Sequence, residues 1–459
     1  MKYQPIIGLE IHVELNTKTK MFCKCSTKIF GAKPNTHTCP VCLGLPGALP
    51  FTNQKALESC IKIALALNCK INNSSYFERK NYFYPDLPKG FQTSQFLHPF
   101  GYEGFLNIQI KNQNSTKNEY ITKRVGITRV HMEEDTGKNT HTTIDGRKVS
   151  LLDFNRSSIP LVEIVTEPEI HSGEEAKAFL TELQKIVRYL GVSDADMEKG
   201  NMRLEPNISL RETKIQNSKS KTENEKLPPY KVEVKNINSF KFVDRAIQFE
   251  EKRQAEILDD GKIPKQETRG WNENRNETVS QRSKEDAHDY RYFPEPDIPP
   301  IHFSEEQISE LRSQIPELPI EKTERYTSKY GLSYYDAEIL TREKKLAEFF
   351  EEAVNLSIES GIKNHEKIIA NWIINKKADL NKSPKDLIDQ IKHSIKSTTM
   401  DENELKAVVN EVLTKNLQAV SDYKSGKIQV IGFLIGQVKK RFPTADTAQI
   451  KSSIENNLK

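Results

Sequence analysis

Residues 7–50 read IGLEIHVELNTKTKMFCKCSTKIFGAKPNTHTCPVCLGLPGALP, and this stretch decides how the rest of the chain is understood. Ile7, Leu9, Ile11 and Val13 alternate with Gly8, Glu10, His12 and Glu14. A strand with this period buries the apolar set and turns Glu10, His12 and Glu14 together to its other face. Taken alone, such a face could simply meet water.

Four cysteines follow at once, as Cys23-x-Cys25 and, thirteen residues on, Cys39-x-x-Cys42. Each pair is close enough to chelate one ion from a tight turn, and four thiolates suit tetrahedral zinc. Pro40 and Gly44 bracket the second pair, where the backbone must bend. A four-cysteine centre leaves no open position for a reactive water, which argues against a zinc hydrolase. Cys60 and Cys69 sit in an apolar, helix-like segment and read as small core residues.

The 459 residues can bury a substantial core in two or three domains. Net charge is +4, yet residues 361–459 hold 17 basic against 11 acidic side chains, so the excess is C-terminal. A basic end suits a polyanionic partner, although many solvated helical domains are as basic. No apolar run approaches the ~18 residues that span a bilayer, and the first strand begins too early for a signal peptide. A soluble protein of the reducing cytoplasm is expected.

Strand patterns occur at 105–110, 124–134, 160–165, 207–211 and 230–234. Helical spacing runs over 56–67, 173–190 and 240–258, with Ser172 and Ser239 as N-caps and Gly191 and Gly261 as stops. The charged run 217–226 reads as an exposed hairpin excursion. Residues 292–300 are too proline-rich for regular structure and form a linker or an ordered seam. Beyond Ser304 the pattern is helical throughout, ending in a unit over 427–441 whose Gly432 and Gly436 would let another backbone approach. The fold class is α+β, a mixed β-sheet cradle flanked by helices over 1–293. An all-α region follows, divided into 294–404 and a tail at 405–459.

Three further constellations carry acids. In Arg129-Val-His131-Met-Glu133-Glu134-Asp135, Arg129, His131 and Glu133 share one strand face, and Glu134 reaches that side only past a bulge or strand end. Glu163 interrupts the apolar run 160–166, where a buried carboxylate needs a partner or a metal. Glu205, Asn207, Ser209 and Arg211 repeat the alternation. Several strands each offering a carboxylate suggest Mg²⁺ and phosphoryl transfer. No Walker A loop or dinucleotide fingerprint is present, so an ATP site must be built otherwise. The aromatic loop 81–95, with Lys80, Asp86 and Lys89, could stack a base and neutralise phosphate. Lys235-Asn-Ile-Asn-Ser239 could hold an anion at a helix start, and Asp289–Asp297 could seat Arg291 against a carboxylate.

The segments IGLEIHVELNTKTKMF, NTHTCPVCLGLPGALP, RKNYFYPDLPKGFQTSQ, GITRVHMEED, PLVEIVTEPEI, VEVKNINSFKFVDRAIQFE and HDYRYFPEPDIPP, in this order, resemble the B subunits of the aspartyl/glutamyl-tRNA amidotransferases. The resemblance covers residues 3 to about 300, and the helical remainder fits the family's tRNA-binding end. It implies an ATP-dependent carbon–nitrogen ligase acting on Glu-tRNA(Gln), and in many organisms on Asp-tRNA(Asn). The side-chain carboxylate is phosphorylated and then amidated by ammonia. It implies Mg²⁺ and ATP held by Glu10, His12, Glu133, Glu134 and Glu163, with Lys80, Asp86, Lys89, Arg129 and Glu205 towards the nucleotide or an ammonia channel. Cys23, Cys25, Cys39 and Cys42 become a structural zinc clamp, and Lys439, Lys440 and Arg441 a tRNA contact. The chain shows no amidase signature, so ammonia comes from a separate amidase, the family's A subunit, tied on by the small C subunit in a heterotrimer. The family commonly reads RCDANVSVR where this chain has Arg203-Leu-Glu-Pro-Asn-Ile-Ser-Leu-Arg211, so Glu205 replaces an aspartate. The competing reading is a non-catalytic zinc-ribbon RNA-binding protein whose acids are a solvated face.

Overall fold

The computed structural model describes residues 2–112, 115, 119–213, 226–283, 290–358, 362, 364–398, 402–441 and 447–458. Of the charged run expected as a hairpin, only Lys226 falls within these. The chain forms two compact units, Met1–Lys322 and Thr323–Lys459.

The first half of the first unit holds β1 (Tyr3–Glu14), β2 (Lys70–Ile71), β3 (Ser74–Ser75), β4 (Glu78–Asn81), β5 (Phe91–Ser94), β6 (Gly101–Lys111), β7 (Tyr120–Glu134) and β8 (Lys138–Ile144). After it come β9 (Arg147–Asp153), β10 (Pro160–Thr166), β11 (Met202–Glu212), β12 (Val232–Lys235), β13 (Glu267–Asn272), β14 (Glu277–Ser283), β15 (Arg291–Pro294) and β16 (Ile301–His302). Nine of these form one sheet in the order β14-β13-β12-β11-β1-β10-β7-β6-β2. Among the described strands of this sheet only the β12–β13 pair is parallel, so the sheet is mixed. Four helices accompany it: α1 (Gln54–Ala66), α2 (Gly173–Tyr189), α3 (Phe240–Asp259) and α4 (Glu305–Ser313).

The alternation of β1 sets the layers. Ile7, Leu9, Ile11 and Val13 are at most 1 % exposed and join one core with Leu57 and Ile61 of α1, Phe179 and Leu183 of α2, and Val243 and Ile247 of α3. Each fully buried aliphatic side chain contributes about 1.5–3 kcal/mol relative to exposure. The helices begin where the sequence places their caps: Ser172 accepts from the Glu175 amide and Ser239 from the Phe242 amide. Gly191 and Gly261 follow the ends of α2 and α3 with φ of 66° and 76°, which a side chain would resist.

A smaller sheet in the order β15-β4-β5 faces the site. Its register aligns Tyr292, Lys80 and Gln92 in one row, and Phe293, Arg79 and Thr93 in the next. The proline-rich stretch is therefore an ordered seam, with Pro294 on an edge strand where no ladder donor is needed and with Glu295 and Ile298 buried behind it. Beyond the seam β16 still pairs with β3, and α4 packs on α1. The β8–β9 hairpin was not foreseen. Its Asp145-Gly146 turn, with φ of 49° and 74°, is the two-residue type that matches strand twist.

The second unit is helical: α5 (Pro319–Tyr330) enters it, followed by α6 (Tyr334–Leu340), α7 (Lys344–Ser357), α8 (His365–Ile374), α9 (Pro384–Thr398), α10 (Glu402–Lys415), α11 (Leu417–Lys424), α12 (Ile431–Arg441) and α13 (Thr447–Leu458). It contains two apolar clusters. One gathers Tyr326, Phe350, Ile369 and Ile391, and the other Leu405, Val409, Leu434, Ile450 and Ile454. The close backbone approach expected at Gly432 and Gly436 is not found. A Cβ at either would meet nothing within 4 Å, and α12 packs instead through Leu434 and Val438.

Candidate functional site

Four central strands build the floor. Their register sets Arg203, His12, Glu163 and His131 side by side on β11, β1, β10 and β7, in a single cross-strand row. One step along, Glu205 of β11 lies opposite Glu10 of β1. The polar positions of four strands thus converge on one face.

The His12 Nε2 atom lies 3.5 Å from carboxylate oxygens of both Glu133 and Glu163. His131 Nε2 lies 3.2 Å from Glu163 and 3.6 Å from Glu133. Ser94 Oγ donates to Glu133 at 2.7 Å and Gln92 Nε2 at 3.1 Å, while Lys80 Nζ stands 3.7 Å away. Arg129 approaches Glu163 to 4.0 Å. Burial pushes the Glu133 carboxyl up, but Lys80, His12 and His131 hold it well below the usual carboxylate range. Glu163 is likewise pushed up by burial and brought down further by His131 and His12. Burial opposes the charge on His12, and the two carboxylates overcome it, raising its pKa to about 10.

A second acidic cluster, Glu10, Glu205 and Glu233, adjoins the first, and the ligand atoms of each cluster lie within 4.8 Å of one another. Here one lysine pairs with two of the three carboxylates, and an amide holds the third. Lys235 Nζ is 2.9 Å from Glu205 and 3.4 Å from Glu233, and Asn207 Nδ2 donates to Glu10 at 2.9 Å. Burial holds the Glu205 carboxyl above its ordinary value, against the opposing charge of Lys235.

Both clusters line one cavity of about 460 Å³, rimmed by Lys80, Arg129, Arg203 and Lys235 and walled on one side by Tyr82, Phe96, Tyr290 and Tyr292. Glu10 also borders a more apolar cavity of about 400 Å³ over Gly8, Ser209, Pro229 and Tyr230. His131 Nδ1, Arg129 Nε and Asn207 Oδ1 are buried without a hydrogen-bond partner, so the site keeps polar capacity beyond its internal pairs. The oxygen-rich sets suit a hard divalent cation, with His12 as the one nitrogen donor.

Not every candidate reaches this floor. Glu134 points to the other side of β7, where it takes the Lys89 ammonium and the Thr93 amide at 2.8 Å. Lys89 borders a separate cavity of about 230 Å³ together with Arg79, Glu295 and Asp297. Asp86 accepts from Thr136 Oγ1 at 3.0 Å and from the Gly137 amide at 2.9 Å through its carbonyl, pinning a loop rather than lining the floor. Glu14 turns to Asn201 Nδ2 at 3.2 Å. Arg79 grips Glu295 through two 2.7 Å bonds and Asp297 at 3.1 Å, and among the described residues no ion pair of Arg291 with these acids is found. Asp289 lies outside the described residues. Sequence reasoning missed Glu233, Lys235 as its partner, and the pair Gln92 and Ser94. The period-two run Val232–Lys235 marked the first two as strand residues without placing them, whereas Phe91–Ser94 shows no such alternation.

The four cysteine sulfurs also lie within 4.8 Å of one another. Zinc with Zn–S bonds of about 2.3 Å sets its sulfurs ~3.8 Å apart, so the residues fit the ion. The Cys39 amide donates to Cys42 Sγ at 3.1 Å, as in a metal knuckle, and Lys20, fully buried, brings its ammonium to 3.6 Å from the same sulfur. The hydrogen bond from Cys23 outweighs burial and lowers the Cys42 thiol to about 5, whereas burial raises Cys25 to about 11. Cys60 and Cys69 are core residues, and burial pushes both thiols up. At the C-terminal end, Lys440 and Arg441 are exposed on α12, with Arg441 paired to Glu411 of α10, while Lys439 is half-buried.

A sheet that sets carboxylates, imidazoles and basic side chains around one cavity has the chemistry to receive a divalent cation and an anionic group. Residues 5–309 match the GatB/GatE catalytic domain and residues 336–458 the GatB domain. The chain is 43 % identical to the aspartyl/glutamyl-tRNA(Asn/Gln) amidotransferase B subunit of Dehalococcoides mccartyi strain CBDB1, over 96 % of this chain and 95 % of that one. It is 43 % identical to the protein of the same name from Carboxydothermus hydrogenoformans over the same shares. For the Thermotoga neapolitana protein of that name, identity is 42 % over 100 % of this chain and 99 % of the relative. The chain belongs to the family of aspartyl/glutamyl-tRNA(Asn/Gln) amidotransferase B subunits.

Proposed function

We propose that this protein is the ligase subunit of a tRNA-dependent amidotransferase, using ATP to activate the side-chain carboxylate of Glu-tRNA(Gln), of Asp-tRNA(Asn), or of both. The observation that carries the reading is the pair of acidic clusters on one floor beneath a basic rim, in a chain of this family. In the first step a substrate carboxylate oxygen bonds to the γ-phosphorus while the bond to the bridging oxygen breaks, releasing ADP. In the second, ammonia adds to the acyl carbon and phosphate departs, taking the proton that the nitrogen loses.

Mg²⁺ bound by His12, Glu133 and Glu163, and by Glu10, Glu205 and Glu233, would neutralise charge that otherwise keeps ATP and carboxylate apart. The remaining roles fall to the chain itself. Ser94 and Gln92 fix the orientation of Glu133, and His131 that of Glu163. Lys80, Arg129, Arg203 and Lys235 hold phosphate oxygens and favour the charge that develops in transfer. Glu134, engaged by Lys89, stays out of the ligand set, and these two with nearby Asp86 belong to the path by which ammonia arrives from the glutamine-hydrolysing amidase, the A subunit. A small third protein, the C subunit, completes a cytoplasmic heterotrimer. Zinc on Cys23, Cys25, Cys39 and Cys42 holds the loop behind β1, and the tail 405–459 binds tRNA, with Lys439, Lys440 and Arg441 as first contacts. Among the described residues no helix is long and apolar enough to cross a membrane. The competing RNA-binding reading requires the acids to be a solvated face, and the Glu133 and Glu163 side chains are only 3 % and 8 % exposed.

The assembled complex, supplied with glutamine, ATP and Mg²⁺, is expected to amidate at least one of the two misacylated tRNAs. Formation of no amidated tRNA overturns the assignment. Removing 405–459 is expected to weaken tRNA binding and reduce its salt dependence, and an unchanged affinity at fixed ionic strength removes the tail from the interface.

A further inference from the structure

The cavity has two unlike sides. Its floor is acidic, while its wall, formed by Tyr292 of the small sheet with Tyr82, Phe96 and Tyr290 just beyond the ends of its strands, carries four aromatic rings that no step above uses. Phe96 and Tyr292 stack with centroids 4.6 Å apart and planes 18° from parallel, and Tyr82 meets Tyr290 edge-on at 5.4 Å. These rings are not closed into a core: Phe96 is 46 % exposed and Tyr290 43 %. Cations alternate with them, Lys80 lying 5.0 Å from the Tyr290 ring and Arg129 5.9 Å from Phe96. Exposed aromatics interleaved with basic side chains are how single-stranded nucleic acid is held, because every base has a stackable face and every linkage a phosphate.

Position selects which base. Tyr292 pairs across the strands with Lys80, whose ammonium reaches Glu133, so the wall stands over the His12–Glu133–Glu163 cluster. The apolar cavity beside Glu10 opens at the other cluster and offers separate room for the base of a free nucleotide. Resting on the functional reading above, we infer that the Phe96–Tyr292 wall with Tyr82 and Tyr290 is the subsite for the 3′-terminal adenine of the aminoacylated RNA. Stacking there presents the ester-linked side chain to the floor. The shared chemistry is a purine ring, and the two sources are the RNA end and ATP.

The test uses the assembled complex, without ATP, and two acceptor-stem RNA hairpins that end in C-C-A or in C-C followed by a baseless ribose. The intact end is expected to bind about tenfold more tightly, as one base–aromatic stack warrants. Phe96→Ala should bind both hairpins at the weaker level, Phe96→Tyr should restore the preference, and the KM for ATP should not change. Equal binding of the two hairpins by the unaltered complex, or a preference that survives Phe96→Ala, overturns the assignment. A raised KM for ATP in Phe96→Ala with no hairpin preference gives the wall to the nucleotide and overturns it equally. Failure of the complex to amidate charged tRNA would sink the functional reading instead, and the binding comparison is read without that activity.

Discussion

The acidic floor and the cysteine knuckle both crowd like charges, and they differ in what neutralises them. On the floor, His12, His131, Lys80, Arg129 and Lys235 stand within 4.0 Å of carboxylates, all held by strand register. In the knuckle one buried lysine faces a cluster of four sulfurs on loops. A site that carries its own cations can lose and regain a metal without collapsing, which suits substrate exchange. A site that lacks them depends on its ion for its shape. Within the floor the contrast recurs, since several cations converge on Glu133 and Glu163, whereas the ion pairs of the Glu10–Glu205–Glu233 cluster are those of Lys235 with Glu205 and Glu233.

The largest expected effect comes from Glu133→Gln, which removes the carboxylate on which two imidazoles, Lys80, Ser94 and Gln92 converge. Amidation of misacylated tRNA by the assembled complex should fall by about 10³-fold or more, on the scale of losing a preorganised charge at a phosphoryl-transfer site. Activity within tenfold of the parent, in protein shown by circular dichroism to be folded, breaks the assignment of this cluster. Glu233→Gln tests the weaker cluster, and a loss of about 10- to 100-fold is expected, with the Mg²⁺ concentration for half-activation moved upward. A loss as large as that of Glu133→Gln, with no change in Mg²⁺ requirement, erases the distinction between the clusters.

How much of this contrast is legible without coordinates depends on element length. The twelve-residue β1 alternates through four successive pairs from Ile7 to Glu14, so its buried face and the shared direction of Glu10 and His12 are written in the sequence. Glu163 announces itself by breaking an apolar run. Glu233 and Lys235 sit on a short strand whose pattern is visible over 230–234, but only its pairing with β11 brings them to Glu205. Glu134 joins the metal set only through the family resemblance, since the period of a strand sends it away from Glu133 unless a bulge intervenes, and Lys89 and the Thr93 amide hold it on the other side. The aromatic wall is built from residues about 200 apart, Tyr82 with Tyr290 and Phe96 with Tyr292, a juxtaposition that no local pattern encodes.

Metal removal separates floor from knuckle directly. Omitting Mg²⁺ should abolish amidation while the melting temperature of the first unit moves by no more than about 1–2 °C, because the floor's own cations remain. Stripping the knuckle with a zinc chelator under reducing conditions, or Cys39→Ser, should lower it by about 5–10 °C, since ion binding there is folding free energy. Calorimetry alongside metal analysis checks both arms. A knuckle that melts unchanged after losing its metal breaks the comparison.

The smallest effect calibrates the floor against a carboxylate without cationic support. Glu251, on α3, is raised to about 7 by burial, and the charge of Asp244 adds to the rise. An acid whose folded pKa exceeds its unfolded value of 4.5 binds more protons folded than unfolded between the two, so its contribution to stability falls as pH climbs from 4.5 through 7. Above pH 7 the full cost of the ionised group is present, reduced by the solvent that reaches a half-buried side chain. Glu251→Gln removes that charge. It should raise the melting temperature by about 1–3 °C at pH 8 and change it little at pH 4.5, where the folded forms of both proteins are neutral at this position. The opposite ordering, a gain at low pH and none at high, would mean that Glu251 is held ionised as Glu133 is, and that cations reach further from the floor than its visible pairs.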